Sequence, residues 1–181
     1  TLGREALELM SDNYVQHLPL VVDDKLIGLI SENDILDNDE NRELGSYNIG
    51  IQKAQVRDTD HIFDVLGQID RTKLSVLPVV NSDEKFLGVI SQNDLVNFFA
   101  SSFSFAEKGS ILVLEMSKPD YSLSEISRVV ESEGVAIISS FITSNTEDNR
   151  IFVHLKLSKP DVHRVAAALE RYEYNVFASY S

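Results

Sequence analysis

Two short stretches of this chain place a hydroxyl and a carboxylate three residues apart, directly after an apolar run: Ser31 with Asp34, and Ser91 with Asp94. Such a pair can hold a vicinal diol. The carboxylate accepts from a hydroxyl, and the serine donates or accepts, so a ribose is the group the pair suits. The same spacing also starts a helix, with Ser as the cap and Asp compensating the dipole. Taken singly, each motif fits either reading. Recurrence of both residues together favours a polar cleft shared by the two stretches.

A phosphate on such a ligand would need cations nearby. His17, just ahead of the first apolar run, and Lys73 are the candidate contacts, with Arg71, Arg4 and Arg57 as further charges near the copies. Backbone N–H groups at the helix starts attract an anion, but Asp34 and Asp94 in those same turns repel it. A nucleoside-like ligand is therefore better founded than any phosphate count. Catalytic patterns are missing: His17, His61, His154 and His163 are scattered, and there is no HExxH, GxSxG, GxGxxG or GxxxxGK[ST]. The acidic pairs Asp23-Asp24 and Asp39-Glu40 fall in turns, where solvation explains them. The chain contains no cysteine, which excludes thiol catalysis, Cys-ligated zinc and disulfides. A non-enzymatic protein without a cofactor or metal is the expectation.

The elements that position these residues repeat. Leu18-Pro19-Leu20-Val21-Val22 and Gly28 to Asp34 return as Leu77-Pro78-Val79-Val80 and Gly88 to Asp94, with one extra residue in the second turn. Each copy reads as two short strands, here Leu18 to Val22 with Leu26 to Ile30 and Val76 to Val80 with Phe86 to Ile90. Ser31 caps a helix through Ile35 and Leu36. Ser91 starts another, with Leu95, Phe98 and Phe99 facing inward. A helix over Leu2 to Met10 carries Leu2, Ala6, Leu9 and Met10 on one face, with Thr1 able to cap it. Asp60 is placed to cap the helix bearing Ile62, Val65, Leu66 and Ile69. A strand from Gly50 to Arg57 opens the second copy and has no counterpart in the first. Residues 37–43 read as solvated linker.

After Lys108-Gly109 the pattern changes. Ile111 to Met116 is a strand, Ser122 to Glu133 a helix stopped at Gly134, and Val135 to Thr143 with Ile151 to Leu157 are strands around the polar turn 144–150. Pro160 fits the first turn of a helix holding Val165, Ala168 and Leu169, and Tyr174 to Ser179 is a last strand. The order βαββαβ predicts a ferredoxin-like four-stranded antiparallel sheet with helices on one face. The chain thus divides into 1–48, 49–106 and 107–181, of α/β and then α+β class.

With 181 residues and 43% hydrophobic residues, the chain can bury its core without staples. Its net charge is -13, and residues 1–100 hold 18 of the 29 acidic residues against 8 of the 16 basic ones. An acidic body without a basic stripe is unsuited to nucleic acid. No apolar run reaches a membrane span, and the start has no signal-peptide shape, so no membrane association and a cytoplasmic location are expected. Opening on Thr1 rather than Met, the sequence reads as a fragment.

On the repeated LPVV, GxIS and NDL pieces, residues 1–100 resemble a tandem pair of cystathionine-beta-synthase-type (CBS) domains, a Bateman module. The resemblance implies that Ser31 with Asp34, and Ser91 with Asp94, hold the ribose of AMP, ATP or a related adenosine compound. It also implies a disc-like homodimer that regulates an attached or partner protein. Residues 110–180 resemble an ACT domain, and the combination resembles bacterial proteins of the acetoin-utilisation type. The loop Lys118-Pro119-Asp120-Tyr121-Ser122 lacks the Gly that amino-acid-binding ACT domains carry there, which favours sheet-edge pairing between subunits over an effector site. Phe98, Phe99, Phe103 and Phe105 are candidates for transmitting the signal. The expected function is a regulatory sensor of an adenosine ligand; the alternatives are a structural interaction module with vestigial clefts and a hydrolase of unrecognised type.

Overall fold

The computed structural model describes residues 1–47, 52–102, 107–144 and 149–181. They form two compact units, Thr1–Asn97 and Phe98–Ser181.

In the first unit, α1 (Gly3–Asp12) precedes the hairpin β1 (His17–Val22) and β2 (Lys25–Ser31), which ends directly in α2 (Glu32–Leu36). The hairpin turn is Asp23-Asp24, both with left-handed backbone at φ 48° and 63°. Two such residues make the turn whose twist matches the flanking strands, and aspartate tolerates that conformation better than branched residues do. The second copy runs β3 (Val56–Arg57), α3 (Ile62–Thr72), β4 (Val76–Val80), β5 (Phe86–Ser91) and α4 (Gln92–Ser102), with α4 continuing past the boundary of the unit. Both hairpins are antiparallel and both slip by one residue at the same place, between Leu20 and Val21 and between Val79 and Val80. The duplication in sequence is a duplication of backbone, irregularity included. Two cores lie under the copies: Ala6, Met10, Ile30 and Ile35 in one, and Leu29, Val56, Val65, Leu74, Val76, Leu77 and Leu95 in the other.

The helix starts correct several expectations. Leu2, not Thr1, is the cap residue of α1, because the Glu5 carboxylate reaches back to accept from the Leu2 N–H at 2.8 Å. His61 caps α3, its Nδ1 accepting from Phe63 N–H, while Asp60 accepts instead from Arg57 N–H at 2.8 Å. The acidic residue is thus held in the preceding turn. Leu9 and Phe98 are exposed, so the buried stripes of α1 and α4 are narrower than their periodicity implies, with Ala6 and Met10 buried on one and Leu95 on the other. Of the strand expected over Gly50 to Arg57, only Val56–Arg57 is regular; Gln52 forms a single bridge to Leu29, and residues 48–51 lie outside the described residues.

The second unit contains β6 (Ser110–Ser117), α5 (Leu123–Ser132), β7 (Ile137–Ser144), β8 (Arg150–Leu157), α6 (His163–Arg171) and β9 (Asn175–Tyr180). The sheet order is β7-β8-β6-β9, antiparallel throughout. Ser122 caps α5, and Gly134 ends that region with φ 69°, a conformation glycine reaches without a Cβ clash. Pro160 lies ahead of α6, which begins three residues after it, rather than in its first turn; Asp161 accepts from His163 N–H at 3.0 Å, and Val162 is the cap residue. The alternation of β8 buries Ile151, Val153, Leu155 and Leu157 against Ile126, Val129 and Val130 of α5 and Val165, Ala168 and Leu169 of α6. Phe103 and Phe105 lie outside the described residues.

One position ahead of this sheet leaves no room for a side chain. A Cβ on Gly109 would fall on the Leu157 carbonyl, whose strand cannot retreat without breaking its pairing with β6. Gly109→Ala is expected to destabilise the second unit by about 1–3 kcal/mol, as overpacking does. A denaturant melt of the variant beside the wild type checks it. Among the described residues no helix is long and apolar enough to cross a membrane.

Candidate functional site

At both strand-to-helix corners the chain turns the same way. Ser31 Oγ donates to Asp34 Oδ2 at 2.6 Å, Ser31 N–H donates to the same oxygen at 2.8 Å, and Asp34 N–H donates back to Ser31 Oγ at 3.1 Å. Ser91 and Asp94 repeat all three contacts at 2.7, 2.8 and 3.0 Å. This reciprocal box satisfies N–H groups that a helix start would otherwise leave open. It also pins each carboxylate through Oδ2, and among the described residues no protein group bonds Oδ1. The bonds from Ser91 hold the Asp94 carboxyl below the usual carboxylate range. At neutral pH Asp94 is therefore a fixed anion with one oxygen open.

The corners are tied to each other through the starts of β1 and β4. Glu32 N–H donates to Gln16 C=O at 2.9 Å, Gln92 N–H donates to Ser75 C=O at 3.1 Å, and Gln16 N–H donates to Ser75 Oγ at 2.8 Å. These bonds make one continuous line from corner to corner. His17 joins it: Nδ1 lies 3.0 Å from Ser75 Oγ and accepts from Ser75 N–H at 3.3 Å, so the ring proton of the neutral form sits on Nε2. Ser75 and Gln16 went unnoticed as functional positions in the sequence. The repeat offset places them at matching points of the two copies, which was the available signal.

Burial pushes the His17 pKa below the ordinary 6.5, and the Asp34 charge opposes that only in part. The unfolded chain thus binds this proton more readily than the folded one. The stabilisation is complete well above pH 6.5 and is lost as pH falls through the ordinary value toward the lowered one. Protonation also removes the Nδ1 acceptor that bridges the copies. Melting temperature is expected to fall between about pH 7.5 and about pH 5, and to fall less in His17→Gln, which carries no titrating ring. Thermal melts of both proteins across that range check it.

Lys73 is placed differently from the corners' polar line. It occupies the left-handed end of α3 at φ 57°, and its ammonium pairs with Asp70 at 2.7 Å, both groups well exposed. Arg57 pairs with Glu84 at 3.0 Å. Two concavities open on this unit. One of about 620 Å³ is lined by α1, β1 and residues 43–47, and the other, about 350 Å³, lies between Leu26-Ile27-Gly28 and Lys53-Ala54-Gln55. Neither is walled by Ser31, Asp34, Ser91 or Asp94, so the expected hollow containing all four residues is not one of these two. Among the described residues no group of acidic residues or histidines has the arrangement of a metal site.

Residues 3–41 and 54–101 each match the CBS domain. An uncharacterized protein of Methanocaldococcus jannaschii is 26% identical over 106 residues, 55% of this chain and 34% of its own length. The chain spans about a third of the length of the first curated relatives it matches. Among solved structures, a CBS domain pair/ACT domain protein from Thermotoga maritima matches with TM-score 0.49 and 19% identity, covering 56% of this chain and 84% of that one. CBSX2, solved in complex with AMP, matches with TM-score 0.46 and 28% identity, covering 54% and 80%.

Proposed function

We propose that this chain, whose residues 3–41 and 54–101 match the CBS domain, is regulatory rather than catalytic and senses an adenosine-containing nucleotide. The observation that carries the reading is the twofold box at Ser31/Asp34 and Ser91/Asp94, each carboxylate fixed by one oxygen and open at the other. A ribose hydroxyl donating to that open oxygen meets a charge-assisted acceptor whose orientation is already set. AMP, ATP or a related compound is the ligand class. His17 stands on the line of bonds between the corners and would feel occupancy of either; Lys73, once released from Asp70, would supply charge to a phosphate. The second unit has the element order of an ACT-like domain and would pair subunits into a homodimer or pass the change to a partner protein, in the cytoplasm.

A structural module is the second reading, and a specific observation favours it. Every bond in each box is also what a helix cap alone would make, and neither concavity described on this unit reaches the four residues. Thermal-shift measurement with AMP, ADP, ATP, S-adenosylmethionine and NAD separates the two. Selective binding to the folded state raises its apparent stability by about 2.7 kcal/mol at a hundredfold excess over Kd. A shift with one or two of the five supports sensing, and no shift with any supports the structural module.

A further inference from the structure

An antiparallel sheet with helices on one face ordinarily turns polar residues outward on the other. The sheet of the second unit does not. Opposite the face buried by α5 and α6, the register sets His154 beside Phe141 and Val113, Val113 beside Ala178, and Ile111 beside Tyr180. Phe141 and Tyr180 are 47% and 60% exposed, and a concavity of about 340 Å³ lies between them over Val113. Phe177, 61% exposed, extends the patch by packing edge-on against Phe152 with ring centroids 4.9 Å apart.

The polar groups on this face are already partnered. The His154 ring lies flat on Phe141, centroids 4.4 Å apart, with Nε2 3.0 Å from Thr143 Oγ1. At the rim, the Glu115 carboxylate accepts from Arg150 at 2.7 Å and from Asn175 at 2.8 Å. Covering the face would leave these bonds intact. Among the described strand residues it carries one acid, Glu115, against Arg150 and Lys156, in a chain of net charge -13. Two acidic copies can therefore approach here without the repulsion they meet elsewhere.

The edges of the sheet are poorly made for pairing. Both edge strands bulge: Ile138 of β7 and Phe177 of β9 are the extra residues at the register shifts. A bulge twists an edge away from a flat partner and re-aims a side chain, here Phe177 onto the open face.

We infer that the open face of this sheet stacks on the same face of a second copy of the chain, the aromatic side chains of each entering the concavity of the other. Four strands about 4.8 Å apart, mostly eight residues long at about 3.4 Å each, make a face of roughly 500 Å². Two such faces bury about 1,000 Å² or more, the size from which specific interfaces begin, and stacked sheets about 10 Å apart interdigitate their side chains. The inference rests on the reading that the second unit pairs subunits, replaces the edge by the face, and is independent of nucleotide binding.

The chain has no tryptophan, so Phe141→Trp places a single fluorescent reporter on the face of the full 181-residue protein. Its emission is followed over a dilution series, with sedimentation giving the oligomeric state at each concentration. Blue-shifted emission is expected in the dimer. Adding Phe177→Glu buries two carboxylates without counter-charges and is expected to raise the dissociation constant for the face at least about a hundredfold, turning the emission red while circular dichroism shows the fold kept. Tyr180→Glu repeats the test on a second residue. A reporter on α5, Leu123→Trp, is expected to keep the same emission throughout. A dimer whose reporter at position 141 stays red overturns the face and leaves pairing by another surface. A chain that is monomeric at every concentration overturns both the face and the reading that this unit pairs subunits. Blue emission that neither Phe177→Glu nor Tyr180→Glu alters, or that persists in a monomer, also overturns the inference.

Discussion

Converting Asp34 and Asp94 together to alanine is expected to weaken adenosine-nucleotide binding by roughly 10- to 100-fold at each occupied site. A hydrogen bond to a charged group contributes about 1.5–3 kcal/mol, and a tenfold change in affinity corresponds to about 1.4 kcal/mol. The same substitutions remove the acceptor from Ser31 N–H and Ser91 N–H and so cost stability, about 1 kcal/mol per helix start. The two effects separate. Calorimetric titration reads the first and a denaturant melt reads the second, and a site used only for capping would move the melt while leaving no binding to lose. Ser31→Ala and Ser91→Ala should show the opposite balance, because serine serves the cap at least as much as the ligand.

Leu155→Ala is expected to be the most damaging single substitution in the second unit, at about 2–5 kcal/mol. Leu155 is fully buried in the middle of β8, between Leu112 of β6 and Ser140 of β7, in the cluster shared by both helices of that unit. Truncation leaves a cavity that two hydrogen-bonded neighbours and a helix layer cannot collapse into. For a unit of this size that cost lowers the melting temperature by about 10 °C or more. Thermal unfolding followed by circular dichroism measures it, and a change under 1 kcal/mol would contradict the packing described.

The duplicated hairpins were readable because each is short, branched and bounded by turn residues, and because the second copy checks the first: Val76–Val80 came out with the bounds expected of it. The corners were readable for the same reason, since Ser followed by Asp three positions later has few local alternatives. Competition between neighbouring polar groups was not readable. Asp60 and His61 can each start α3, and what decides is that Asp60 is claimed by Arg57 N–H. Nor does periodicity reveal the width of a buried stripe, which is why Leu9 and Phe98 come out exposed. The link through Gln16, His17 and Ser75 joins residues 58 and 59 positions apart; spacing within one copy carries no trace of it. The concavities depend on what flanks β1 and β2, and composition alone could not place them.

The central claim is that the paired corners bind an adenosine ligand in the folded protein. Isothermal titration of the 181-residue protein with AMP, then with ATP and S-adenosylmethionine, tests it most directly. Saturable heat with a stoichiometry of one or two ligands per chain, reduced at least tenfold in affinity when Asp34 and Asp94 are alanine, is the predicted result. Absence of saturable heat with every one of these ligands, or affinity unaltered in that double variant, would contradict it.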